Sequence, residues 1–118
     1  VVATDAPLLP NQLDRIARRA GMGLARMGSY AGDGSGDIFL AFSTANASAL
    51  SGAPYGSAEF LENGRMDPLF QATVQATEEA IVNALVAAET MTGADGRTVF
   101  ALPHDRLLAT LAKYGRGK

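Results

Sequence analysis

Cysteine is absent from this 118-residue chain, which excludes both a disulfide framework and a thiolate metal site. A cysteine-free chain suits the cytoplasm as well as the periplasm, so the compartment stays open. Histidine occurs once, as His104. It follows Pro103 at a helix start, with no pattern of nucleophile or metal ligands around it, and is not read as catalytic. Positive charge is scarce: 10 Lys and Arg stand against 12 Asp and Glu, a net charge of −2. That leaves no basic footprint for nucleic acid. No apolar run is long enough to cross a bilayer, and no basic-then-apolar leader precedes the fold. What is present is ample apolar content, 47% of residues, enough for the core of one domain. The opening Val1-Val2-Ala3 has no initiator methionine and reads as the middle of a strand. Processing or missing upstream residues would explain it.

The chain is organised around Gly32 to Asn46. Ile38 to Phe42 is a short apolar run of β-branched and aromatic residues, the mark of a mostly buried strand. Before it, Gly32, Gly34 and Gly36 alternate with Asp33, Ser35 and Asp37. Ser35 and Asp37 are one residue apart and point to the same side if the strand begins early enough. A hydroxyl and a carboxylate at a strand mouth make a proton-handling pair. The same residues are also ordinary turn formers, which is the commoner use of such a pattern.

The remaining elements follow from periodicity. Val1 to Ala3 form a strand ended by Thr4-Asp5-Ala6-Pro7. Pro10 suits a first helical turn, and Leu13, Ile16, Ala17, Ala20 and Leu24 carry a helix to about Met27. Asp14 and Arg18 are spaced i,i+4 on its polar side. Arg15, Arg18 and Arg19 read as a solvated face, while Gly21 and Gly23 suggest close packing against the sheet. Asp67 and Pro68 open a second helix with Phe70, Val74, Thr77, Ile81, Ala84, Ala88 and Met91 on one face, stopped by Gly93. On that helix, the adjacent Glu78 and Glu79 point about 100° apart and make no dyad; solvation or a salt bridge is expected. Asp95-Gly96 predicts a turn, Thr98 to Leu102 a short strand, Pro103 to Lys113 a small helix, and Gly115 to Lys118 a frayed tail.

Two motif readings fail. A phosphate-binding glycine loop runs from strand into helix, and here the order is helix, loop, strand. An EF-hand needs glycine where Ile38 stands and glutamate where Thr44 stands. No metal or cofactor is implied.

Taken together, VVATDAPLLPNQLDRIARR, GLARMGS, GSGDIFLAFSTAN and EEAIVNAL resemble, in order and spacing, the C-terminal (β) chain of the DmpA/BapA-type aminopeptidases. These include L-aminopeptidase/D-esterases and β-peptidyl aminopeptidases. The resemblance implies an α/β fold, an α-β-β-α sandwich of the N-terminal-nucleophile-hydrolase (DmpA/ArgJ-like) kind, of which residues 1–118 supply a single domain portion. It implies a self-processing precursor, with the nucleophile, usually serine, at the new β-chain N-terminus just upstream of Val1. By the same resemblance Ser35 and Asp37 are the catalytic companions that orient the nucleophile and carry its proton. The implied partners are the α chain of the same precursor, a small peptide, amide or ester substrate, and further αβ units in a homo-oligomer. Two alternatives remain: an inactive binding or assembly protein on this fold, and a hydrolase of non-peptide amide oligomers. The Ser35-Gly36-Asp37 form is closer to the aminopeptidases, because the oligomer hydrolases resemble this site with an acidic residue in place of the serine.

Overall fold

The computed structural model describes residues 1–50 and 52–117. The chain divides into two compact units, Val1–Glu79 and Ala80–Lys118.

The first unit is built on a strand-helix-strand crossover. Strand β1 (Val2–Thr4) pairs in parallel with β2 (Ala41–Ser43), Val2 facing Ala41 and Thr4 facing Ser43. Parallel neighbours need a long connection, supplied by helix α1 (Pro10–Arg26). Proline begins α1 at no hydrogen-bonding cost, since the first helical N–H has no partner inside the helix. Gln12 then reaches back, its Oε1 accepting from Leu9 N at 3.0 Å. Asp14 and Arg18 form the expected ion pair at 2.9 Å. The core gathers Leu8, Ile16 and Met66, with Val2, Ala6, Leu13, Ala41, Leu61, Leu69 and Phe70 packed around it.

Strand β2 is shorter and later than the apolar run from Ile38 to Phe42 predicts. Pairing starts where Val2 N donates to Leu40 O (2.8 Å). Ile38 is 90% exposed in this chain, so the expected burial of the run does not hold. Of the two glycines in α1, Gly21 packs on the predicted strand run as expected, and Gly23 does not. A Cβ on Gly23 would lie 2.6 Å from Thr77 Cβ and 2.7 Å from Val74 O, whereas one on Gly21 would meet the Phe39 ring at 3.4 Å. Gly23 therefore serves a helix-helix contact, not the sheet.

Helix α2 (Asp67–Ala87) starts in the first unit at the expected place. Phe70, Val74, Thr77 and Ile81 are half-buried on one face, but Ala84 and Ala88 are exposed. The helix ends at Ala87, well before Gly93, because the chain is drawn into a hairpin. In the second unit, β3 (Met91–Thr92) pairs antiparallel with β4 (Thr98–Val99). The Asp95-Gly96 turn is confirmed, both residues having positive φ (58° and 71°). Thr92 and Thr98 join their hydroxyls across the hairpin at 2.9 Å. Helix α3 (His104–Lys113) follows, and of the tail expected to fray, Gly115 and Arg116 instead cap the helix, with Gly115 at φ 68° and Arg116 N donating to Leu111 O at 2.8 Å, while Lys118 lies outside the described residues. These are the bonds of a glycine-terminated helix. His104 has a structural task, its Nε2–H donating to Val86 O near the end of α2 (2.9 Å).

Candidate active site

The parallel crossover delivers the end of α1 and the following loop to the amino-terminal edge of β1 and β2. Gly28, with φ 99°, lets the chain leave the helix in a conformation costly for other residues. Met27 N and Gly28 N donate to Leu24 O and Ala25 O, closing the helix end. A tight turn follows, in which Ser35 N donates to Gly32 O at 2.7 Å. Tyr30 lays its ring over Gly32, where an added Cβ would be 3.1 Å from the ring.

The loop is a turn, and the strand does not begin early enough to align Ser35 and Asp37 by period-2 geometry. The turn itself nevertheless brings the two side chains together: Ser35 Oγ donates to Asp37 Oδ2 at 2.5 Å. A carboxylate accepting from a hydroxyl is a charge-assisted bond, which orients the hydroxyl and leaves its lone pairs free to accept a proton from a third group. Both side chains are exposed in this chain.

A cavity of about 470 Å³ opens beside the pair. Gly21, Leu24 and Ala25 of α1 form one wall, Tyr30, Ala31 and Gly32 another, and Ser35, Asp37 and Phe39 a third. Tyr30 and Phe39 escaped the sequence reading. The available signal was Tyr30 standing two residues before the glycine-rich turn, and Phe39 two residues beyond Asp37.

The other singled-out charges are accounted for without chemistry. Glu78 pairs with Arg26 Nε at 2.6 Å. Arg15 and Arg19 are not merely solvated: their guanidinium groups lie over the Phe70 ring, at 4.9 and 3.9 Å from its centroid. Among the described residues, no cluster of His, Asp and Glu could hold a metal ion, and no helix is long and apolar enough to cross a membrane.

Residues 1–99 match the family model described as peptidase family S58. The beta-peptidyl aminopeptidase BapA of Sphingosinicella microcystinivorans is 55% identical over 117 residues, which is 98% of this chain and 30% of that protein. The solved L-aminopeptidase D-Ala-esterase/amidase of Ochrobactrum anthropi, described as a prototype for the serine aminopeptidases and a new variant among the Ntn hydrolase fold, aligns with a TM-score of 0.87 at 45% identity. That match covers 97% of this chain and 32% of the other. A protein from Pyrococcus horikoshii OT3 aligns with a TM-score of 0.88 at 48% identity, over 95% of this chain and 32% of that one. The chain thus spans about a third of the length of the proteins it matches.

Proposed function

This chain belongs to peptidase family S58 and carries part of an α/β, Ntn-hydrolase-type fold, and from that premise we propose that it is the β chain of a self-processed serine aminopeptidase. The enzyme releases N-terminal residues from small peptides, amides or esters through an acyl-enzyme. Its nucleophile is an N-terminal serine just upstream of Val1, and Ser35 and Asp37 are its catalytic companions.

The observation that carries this reading is the β1-β2 register. Val2 faces Ala41 in parallel; a chain continued backwards in that register would bring the third and fourth residues before Val1 beside Asp37 and Gly36. A serine at that point lies within reach of the Ser35–Asp37 pair. A free α-amino group can act as base for its own hydroxyl, and a neighbouring hydroxyl-carboxylate pair supplies a proton acceptor and fixes the geometry. Attack on the substrate carbonyl gives a tetrahedral oxyanion, and collapse releases the amine or alcohol. Water then attacks the acyl ester with the same groups in reversed roles. Donors for the oxyanion, and the rest of the pocket, are assigned to the α chain of the same precursor.

The α chain is also the natural cover for what this chain leaves open. Ile38, Leu40 and Phe42 in the first unit, and Met91, Val99 and Phe100 in the second, are each more than 40% exposed. Surface of that kind belongs against protein. Assembly of αβ units into a homo-oligomer extends the same argument. Neither a purely binding role nor hydrolysis of non-peptide oligomers is favoured, since two of the relatives named above, from Sphingosinicella microcystinivorans and Ochrobactrum anthropi, are aminopeptidases.

Intact mass and N-terminal sequencing of the native protein test the proposal. The expected result is a larger companion chain and a serine at the true start of this one, with turnover of aminoacyl p-nitroanilides. A mature chain beginning at Val1, with no nucleophile encoded upstream, would overturn it.

A further inference from the structure

We propose that the cavity between the end of α1 and the Ser35–Asp37 turn is the subsite for the side chain of the substrate's acyl residue, and that it selects uncharged apolar side chains of leucine to phenylalanine size. The inference rests on the aminopeptidase reading and goes beyond it by naming the residues that set specificity.

Position is the first argument. The carbonyl under attack must lie beside the nucleophile, hence beside Asp37, and the acyl residue's Cα is one bond from that carbonyl. Its side chain therefore projects within a few ångströms of the Ser35–Asp37 pair, and the cavity has that pair on its wall. Size is the second. About 470 Å³ is within the range of small-ligand sites and accommodates a branched or aromatic side chain. Chemistry is the third. Gly21, Leu24, Ala25 and Phe39 present apolar surface, and the charge on the wall is the Asp37 carboxylate. An acidic side chain would face a like charge there, with no cation to answer it among the described residues of this chain's wall.

The lining also shows how the selectivity is set. Positions 21, 24 and 25 share one face of α1 by their three- and four-residue spacing. Gly21 leaves the space in which the Phe39 ring seats, 3.4 Å from where a Cβ would be. Ala25 is exposed and Tyr30 is 90% exposed in this chain, so exchanging either leaves this chain's own core intact.

The test uses the complete processed αβ protein and measures kcat/KM for the p-nitroanilides of alanine, leucine, phenylalanine and glutamate. Ala25→Leu, which fills the cavity, should lower the leucyl-to-alanyl ratio about tenfold or more, the scale on which one or two methylenes are discriminated. Tyr30→Ala removes the outer wall and should lower the phenylalanyl-to-alanyl ratio. Glutamyl turnover should be the poorest of the four in the unaltered enzyme. Uniform scaling of all substrates by both variants, or loss of the companion chain on gel filtration, would overturn the subsite and leave the aminopeptidase reading standing. An unaltered enzyme that cleaves neither these four anilides nor their β-aminoacyl counterparts would overturn both.

Discussion

Gly23 and Thr77 meet where α1 crosses α2, so closely that a Cβ on Gly23 would stand 2.6 Å from that of Thr77. Neither neighbour can retreat easily. Thr77 Oγ1 is tied to Thr73 O at 2.8 Å, and the second obstacle, Val74 O at 2.7 Å, is backbone. Gly23→Ala should gain helix propensity yet lose net stability, because overpacking costs about 1–3 kcal/mol against a propensity gain of up to about 1 kcal/mol. The urea midpoint of the purified protein should fall with the slope unchanged. A raised midpoint would show that the helices separate enough to admit the methyl.

Gln12 is the polar residue on which the first unit closes. It is 2% exposed, with Oε1 accepting from Leu9 N and Nε2 donating to Leu61 O (2.7 Å) and Asn63 Oδ1 (3.1 Å). Gln12→Leu keeps the volume and strands these groups, at about 1–3 kcal/mol for each one left buried and unpaired. Gln12→Glu preserves the bond to Leu9 N but sets a carboxylate against two oxygen acceptors. Both variants should melt lower than the unaltered protein. A Gln12→Leu variant that melts unchanged would mean water replaces the amide.

Gln12 also marks the limit of what periodicity reveals. The apolar stripe of α1 located Ile16 and Ala20 in the core, and Asp14 with Arg18 on the surface, because these depend on residues within one helix. Gln12 lies outside that stripe, and the acceptors of its Nε2 lie some fifty residues away in sequence. The same limit explains Gly23, whose neighbour is on α2, and the early end of α2, which the β3-β4 hairpin imposes. At the candidate site the residue types singled out Ser35 and Asp37 as a pair, but only the turn at Gly32 shows why they sit together.

Phe70 holds together a face that charge alone marks as solvated. Arg19 stacks at 3.9 Å from its ring centroid and Arg15 at 4.9 Å, with Arg15 Nη1 also donating to Asn63 Oδ1 at 3.1 Å. Cation-π contacts at partly exposed sites contribute about 0.5–1 kcal/mol each. A double-mutant cycle of Arg19→Gln and Phe70→Leu should give a coupling of that order. Strict additivity of the two single changes would show that the stack contributes nothing in solution.

Asp37 and Ser35 should separate catalysis from folding cleanly, because both side chains are exposed and their bond spans only two positions. Asp37→Asn keeps an acceptor for Ser35 Oγ and removes the negative charge, whereas Ser35→Ala removes the hydroxyl and keeps the charge. If the pair moves the nucleophile's proton, each change should lower kcat on alanyl p-nitroanilide by about 100-fold or more. KM and the melting temperature should stay close to those of the unaltered protein. On the proposed reading self-cleavage uses the same nucleophile, so uncut precursor should accumulate in both variants and be visible by mass. A pair that served only to shape the turn would give the opposite pattern: Ser35→Ala would lower the melting temperature while the processed fraction kept its full kcat.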